Sequence, residues 1–146
     1  MDIQIRSHRK IHGLSNRKIK QKLKTVLSAL GCRDVELSVF FTDDQEISRL
    51  NERYLGRTGP TNVLAFPILG GPPPDPETGM LGDVVISVET AVSESKSIGE
   101  PLSETVFRLL VHGILHLLNY DHERSSEDAD IMEKKQSILL SLIREE

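Results

Sequence analysis

The chain is poor in the residues that most often fill or cross-link a small fold. Its 146 residues include no tryptophan, and aromatic residues make up only 4% of the chain. Aliphatic side chains must therefore fill most of the hydrophobic core. The single cysteine, Cys32, excludes an internal disulfide and is typical of proteins from a reducing compartment.

Long apolar runs are missing as well. No stretch approaches the roughly 18 to 20 apolar residues that a membrane-spanning helix needs, and residues 1–6 contain no apolar run of signal-peptide length. We therefore expect a cytoplasmic protein of bacterial type with no membrane partner. The length suits one folding unit, so residues 1–146 are expected to form a single domain.

Positive charge is scarce overall but concentrated in one segment. The net charge of −4 argues against nonspecific binding to nucleic acid. Residues 1–33 nevertheless hold nine of the 18 basic residues and one of the 22 acidic residues. This segment could contact phosphates while the rest of the chain keeps the protein soluble. The alternative is a helix face whose charges are only solvated.

Hydrophobic periodicity predicts the element order β-α-β-α-β-β-α-α-α. This order favours an α+β fold with one small mixed sheet packed with helices. The residues expected to cap helices are Ser15 or Asn16, Thr42, Ser103, and Ser125 or Ser126. The last helix is expected to turn four apolar residues inward: Ile131, Ile138, Leu139 and Leu142.

Three of the five histidines form the most informative pattern in the chain. His112, His116 and His122 stand at relative positions 0, +4 and +10. Residues four apart share one face of a helix, and a turn at residues 119–121 can bring the third imidazole back to the first two. Three protein nitrogens plus water make up a catalytic zinc site, in which the ion lowers the pKa of the bound water to about 7.

Two interpretations of the histidines remain open. His112 and His116 could be hydrogen-bonded core residues, with His122 on the surface. We favour the metal site, because an apolar helix seldom buries two imidazoles without a use for them. Zinc is the expected ion, although imidazole ligands also suit nickel and other divalent metals.

The residue after the first histidine points to the substrate. Zincin proteases share the histidine spacing but carry a glutamate at this position as general base, whereas this chain has Gly113. Peptide hydrolysis needs such a group to shuttle a proton to the leaving amine. RNA has a better leaving group and its own 2′-hydroxyl, so its cleavage depends more on positioning and charge neutralisation. The missing glutamate therefore argues against peptide hydrolysis and is compatible with cleavage of RNA.

Three segments together resemble the YbeY family of endoribonucleases, also called rRNA maturation factors. The histidine segment reads H-G-x-L-H-L-x-x-Y-D-H, Pro60–Pro67 is similar to that family's P-T-[DN]-V-L-[SA]-F-P, and Leu81–Ile86 to its L-G-D-[IV]-x-I. The resemblance runs in order from about Val35 to Met132.

The resemblance implies both a fold and a function. It implies a zincin-like fold with a small sheet and the metal-binding helix beneath it. It also implies a single-strand-specific, zinc-dependent endoribonuclease. Its expected role is rRNA processing, including maturation of the 3′ end of small-subunit rRNA, and ribosome quality control. The expected partners are single-stranded RNA and the ribosome or its small subunit.

The candidate phosphate-binding residues lie where this chain departs from the family. The family commonly has Asn-x-x-Tyr-Arg-Gly before the Pro-Thr segment, with that arginine implicated in activity. Here Leu55 occupies the arginine position, and Arg53 and Arg57 flank it. We expect Arg57 to act in catalysis and Arg53 in substrate binding. Alternatively, both are solvated loop charges.

Three further residues are candidates for the site. Thr61 and Asn62 are expected to bind a ribose or a base edge, although they could simply cap the following strand. Asp121, beside the third histidine, is a candidate acid/base group, or it only shapes its turn.

Two rival functions remain. The histidine spacing alone allows a metalloprotease of the zincin type. Leu55 lends support to a non-catalytic ribosome-assembly factor with a structural metal.

Overall fold

The computed structural model describes residues 1–67, 78–120 and 125–144. Within these residues, strands and helices follow one another in the predicted order. None of the described helices is both long enough and apolar enough to cross a membrane. The elements are β1 (Asp2–Ser7), α1 (Asn16–Ala29), β2 (Asp34–Thr42), α2 (Asp44–Leu55), β3 (Val63–Phe66), β4 (Thr78–Ser87), α3 (Val88–Ile98), α4 (Leu102–Leu117) and α5 (Ser126–Arg144).

The described strands form a mixed sheet in the order β1-β2-β4-β3. Strands β1, β2 and β4 run parallel, and β3 pairs antiparallel with β4 at one edge. Val84 in the central strand β4 lies beside Val39 of β2 and Ala65 of β3. The predicted α+β class and the mixed sheet are both confirmed.

The two faces of the sheet carry different hydrophobic clusters, because side chains alternate along each strand. Val39, Val84 and Ile86 belong to the main cluster, which also contains buried residues of α1, α4 and α5. Phe40 and Val85 point the other way and meet α2. Helix α4 packs against β3 and β4, so it lies beneath the sheet as expected.

The predicted helix caps are right in two places and wrong in two. Ser15 and Ser125 accept hydrogen bonds from backbone amides at 3.2 and 3.0 Å. The prediction for Thr42 is wrong because Thr42 still pairs within β2, and the carboxylate of Asp43 caps α2 instead. Ser103 lies inside the first turn of α4, which has no side-chain cap.

The inward face of α5 also differs from the expectation. Leu139 is buried as predicted, but Ile131, Ile138 and Leu142 are 49%, 63% and 41% exposed. Apolar residues lie on two neighbouring faces of this helix. Packing against α1 and α4 buries the face that contains Met132 and leaves Ile131 exposed. The buried residues of α5 are Met132, Leu139, Leu140 and Ile143.

Gly82 in β4 allows the ends of β3 and α4 to pack closely against its backbone. Its φ of +138° is a conformation that residues with a side chain rarely adopt, and it follows an irregularity in the pairing of β2 with β4. A Cβ atom there would lie 2.2 Å from the backbone oxygen of Phe66 and 3.0 Å from Leu117 Cδ2. The ends of β3 and α4 can approach β4 only because this position is glycine.

The substitution Gly82→Ala is therefore expected to destabilise the fold strongly. The backbone conformation costs about 1–3 kcal/mol for a residue with a side chain, and the overlap adds about 1–3 kcal/mol. Gly79→Ala is the matched control, since its φ is +97° but nothing lies within 4 Å of the added Cβ. Chemical denaturation of both variants measures the difference. Equal losses of unfolding free energy would contradict the close approach.

Candidate functional site

The centre of the candidate site is a pair of histidines on helix α4. His112 and His116 lie one turn apart on the same face, and both are half-buried. Their Nε2 atoms are 3.1 Å apart, and their ring centroids are 4.7 Å apart at an interplanar angle of 75°. The two Nε2 atoms therefore face each other within hydrogen-bond distance.

Helix α4 ends in a turn immediately after the second histidine. Asn119 adopts a φ of +73°, a left-handed conformation that agrees with the turn predicted to begin at this residue. The amide of Tyr120 donates to the carbonyl of Leu115 at 3.0 Å, so the last turn closes as a Schellman motif. Asp121 and His122, the next predicted site residues, lie outside the described residues.

Gly113 brings the histidine helix against the sheet. A Cβ atom at this position would lie 2.8 Å from Val84 Cγ1 and 3.4 Å from Val63 Cγ2. Valine is short and branched at Cβ, so its methyl groups have little freedom to move aside. Glycine at 113 is thus required by packing, and a glutamate there would force the helix away from β3 and β4.

The histidine pair opens onto a cleft of about 540 Å³ at the β3 edge of the sheet. Three of the predicted site residues, Arg57, Thr61 and Asn62, line this cleft together with His112 and His116. Two of these five residues come from α4, and three come from the segment between α2 and β3. The structure therefore brings together residues that are about 50 positions apart in the sequence.

The two arginine candidates occupy different places. Arg57 lines the cleft, as does Leu55, which stands at the usual arginine position. Arg53 does not line it, and its guanidinium carbon lies 5.5 Å from the ring centroid of Tyr54 on the exposed side of α2. A glycine at the end of α2, Gly56, has a φ of +65° and turns the chain toward the cleft.

A hydrogen-bonded network supports the wall formed by Thr61 and Asn62. Thr61 Oγ1 donates to Asn62 Oδ1 at 3.4 Å, and Asn62 Nδ2 donates to Glu94 Oε1 at 2.6 Å. The other carboxylate oxygen of Glu94 is 3.7 Å from Arg108, which donates to Glu100 at 2.6 Å. The amide of Asn62 is thus held by α3.

The hydrogen bonds of this network favour the charged form of the Glu100 carboxylate, which lies at the end of the network opposite Asn62. Hydrogen bonds from Arg108 and Thr105 hold the pKa of Glu100 below its usual value, against the opposing effect of partial burial. Arg108 therefore faces carboxylates on both sides and ties α3 to α4.

Sequence reasoning missed two residues around the site, Gln136 and Glu94. Gln136 Oε1 on α5 lies 3.1 Å from His112 Nδ1, and Glu94 holds Asn62 from α3. Both contacts cross between elements, so no local motif marks them. The position of Gln136 four residues from both Met132 and Leu140 becomes informative only once the buried face of α5 is known.

The described residues do not by themselves form a complete metal site. Among them, no group of three or more His, Cys, Asp or Glu side chains could hold an ion. The histidine pair supplies two nitrogens, and the predicted site depends on His122, which lies outside the described part of the chain.

A solved structure supports the fold. The solution structure of TM1509 from Thermotoga maritima is similar to this chain with a TM-score of 0.69, over 97% of this chain and 88% of that one. The two sequences are 23% identical over this match, so the likeness concerns the fold alone.

Sequence comparisons establish the family. A model of the family described as Endoribonuclease YbeY matches residues 2–144. Endoribonuclease YbeY of Syntrophus aciditrophicus is 38% identical over 98% of this chain and 90% of its own length. The protein of the same name from Aquifex aeolicus is 46% identical over 85% of this chain and 81% of its own. The resemblance in the three motifs is confirmed, and this chain belongs to the YbeY endoribonuclease family.

Proposed function

We propose that this chain is a metal-dependent endoribonuclease that cuts single-stranded RNA during rRNA processing. Its membership of the family confirms the predicted class of enzyme, a hydrolytic nuclease. The observation that carries the metal-dependent mechanism is the pair of Nε2 atoms of His112 and His116, which face each other at 3.1 Å in a cleft that Arg57 also lines. Nitrogen ligands and a guanidinium on one cleft suit hydrolysis of a phosphodiester.

The two histidines fit a divalent ion. Nitrogen ligands lie about 2.0–2.1 Å from tetrahedral zinc, which places two of them about 3.3 Å apart. The separation in this chain, 3.1 Å, is close to that value. His112, His116 and His122 together would hold one zinc ion, with nickel or another divalent metal as the alternative. When bound, the ion would polarise a phosphoryl oxygen and lower the pKa of a coordinated water.

The residues around the cleft have separate roles in this proposal. Arg57 orients the phosphodiester through paired hydrogen bonds and offsets the charge that develops during cleavage. Thr61 and Asn62 bind the ribose or a base edge, with Asn62 already fixed by Glu94. Asp121 serves as an acid/base group beside the third histidine.

The RNA outside the cleft is expected to meet basic residues. Arg53, beside Tyr54, would contact the backbone a short distance from the cut. The exposed basic residues of α1 offer a second set of phosphate contacts, although Lys22 is not among them, because it is buried and its Nζ donates to the carbonyl of Ile143. The members of this exposed set are Arg17, Lys18, Lys20 and Lys24.

The finer biological role follows the family. We propose that the substrate is small-subunit rRNA near its 3′ end and that the chain acts on the ribosome or its small subunit, including in ribosome quality control. Unpaired RNA suits an open cleft because its bases can turn outward and contact side chains. Cys32 is a buried free thiol, which is compatible with a cytoplasmic location. Residues 1–146 would act as one domain, since both hydrophobic clusters share strands β2 and β4.

The two rival functions fit the cleft less well. A protease of the zincin type needs an acid/base group beside the first histidine, and the contact of Gly113 with Val84 leaves no room for one. A purely structural metal would not call for a guanidinium on the cleft, yet Arg57 lies there.

The substitution His116→Ala is expected to abolish RNA cleavage and stoichiometric zinc binding together. Loss of a group that only supports a metal ligand costs 10- to 100-fold, so loss of a ligand is expected to reduce cleavage by more than about 100-fold. Cleavage of a labelled single-stranded RNA, with and without chelator, measures the effect. His12→Ala, at an exposed position, is the matched control. Cleavage that survives both the chelator and His116→Ala would refute the metal mechanism.

The substitution Arg57→Ala is expected to lower kcat by about 100-fold or more, because it removes a charged donor needed in the transition state. Arg53→Ala, which removes the arginine outside the cleft, is expected to raise KM and to leave kcat within about threefold. Single-turnover and steady-state cleavage of the same RNA separate the two effects. A larger loss of kcat for Arg53→Ala than for Arg57→Ala would reverse the assignment.

A further inference from the structure

The first histidine is held at both of its ring nitrogens. Nε2 of His112 faces His116 across 3.1 Å, and Nδ1 lies 3.1 Å from Oε1 of Gln136. Gln136 is half-buried in the middle of α5, on a different helix from the histidines. The imidazole of His112 therefore contacts one side chain from α4, His116, and one from α5, Gln136.

The partner at Nδ1 determines the tautomer of His112. An amide oxygen can only accept a hydrogen bond, so Nδ1 must carry the proton and donate it to Gln136. A neutral imidazole has one N–H, so a proton on Nδ1 leaves Nε2 unprotonated and able to act as an acceptor or ligand. This nitrogen points to His116 and the cleft, as a metal ligand must.

Gln136 is also an unusual residue for its place. It lies four residues after Met132 and four before Leu140, both of which are buried on the face of α5 that packs inward. A polar side chain among apolar ones is costly unless it is hydrogen-bonded. Because Met132 and Leu140 pack inward, the side-chain amide of Gln136 is also directed toward the interior.

We propose that Gln136 is a positioning residue for the metal site: it holds His112 as the Nδ1–H tautomer and aims Nε2 into the cleft. This inference rests on the proposed function, since it requires His112 and His116 to bind an ion. The neutral amide orients the ligand without adding negative charge. Neutral imidazoles and an uncharged supporting residue leave the full charge of the ion to attract an anionic phosphodiester.

The test is zinc affinity, measured by competition with a chromophoric chelator on the full chain. Gln136→Met keeps the length of the side chain and removes the acceptor, so it is expected to weaken zinc binding about 10- to 100-fold. Gln136→Glu restores an acceptor and is expected to bind zinc at least as tightly as the wild type. Its added negative charge is expected to raise KM for RNA while the zinc site stays filled.

Two further variants control for effects on folding. Gln136→Asn keeps an amide that is too short to reach His112, and it is expected to weaken zinc binding as Gln136→Met does. Gln21→Met makes the same change at an exposed position of α1 and is expected to leave zinc binding unchanged. The visible spectrum of the cobalt-loaded protein reports ligand geometry, and it is expected to change for Gln136→Met but not for Gln21→Met.

The outcomes separate this inference from the function on which it rests. Wild-type zinc affinity in both Gln136→Met and Gln136→Asn overturns the positioning role alone. Failure of Gln136→Glu to restore affinity also overturns it, because the residue would then matter only for packing. A wild-type protein that binds no zinc overturns the inference together with the proposed metal. Tight zinc binding without RNA cleavage refutes the nuclease mechanism and leaves the positioning role standing.

Discussion

The close contact between helix α4 and the sheet at Gly113 is the constraint on which the site depends. Because residue 113 has no side chain, the backbone of α4 lies directly against Val84 and Val63. Successive helix residues are rotated by about 100°, so fixing residue 113 toward the sheet also fixes the direction of its neighbours. His112 and His116 then point into the cleft at the β3 edge. The lack of a side chain at residue 113 therefore explains both the close packing of α4 on the sheet and the absence of the glutamate that zincin proteases use as a base.

Contacts on two sides hold the walls around this pair of histidines. On one side, α5 packs through its buried apolar stripe and brings Gln136 to His112. On the other side, Glu94 on α3 holds Asn62, and Arg108 links α3 to α4. The cleft is therefore bounded by side chains whose positions are set from three different helices, which is the preorganisation that hydrolysis of a phosphodiester needs.

The sequence predicted the element order and the mixed sheet, and five of the candidate residues it indicated line one cleft, because these features leave local patterns. Ser15 was predictable as a cap, and a turn beginning at residue 119 was predictable from the residue types there. The caps at Thr42 and Ser103 were wrong because strand β2 continues through Thr42 and because α4 starts one residue before Ser103. At the end of β2 and at the start of α4, the sequence gives no signal stronger than the one that favours Thr42 or Ser103 as a cap.

The contacts that depend on packing between elements were not predictable. Helix α5 has two apolar stripes, and only its neighbours decide that Met132 faces inward while Ile131 is exposed. Once that rotation is known, Gln136 falls on the inward face beside His112. The family motifs indicated candidate site residues, whereas their contacts with Gln136 and Glu94 became apparent only in the folded chain.

Zinc K-edge X-ray absorption on the zinc-loaded protein tests most directly whether the three histidines bind one zinc ion. We expect one zinc ion per chain, with nitrogen and oxygen neighbours at about 2.0–2.1 Å and outer-shell scattering from three imidazole rings. The substitution His122→Ala would then remove one ring from that scattering. A protein that takes up no stoichiometric zinc, or zinc bound without the imidazoles of His112 and His116, would contradict the account.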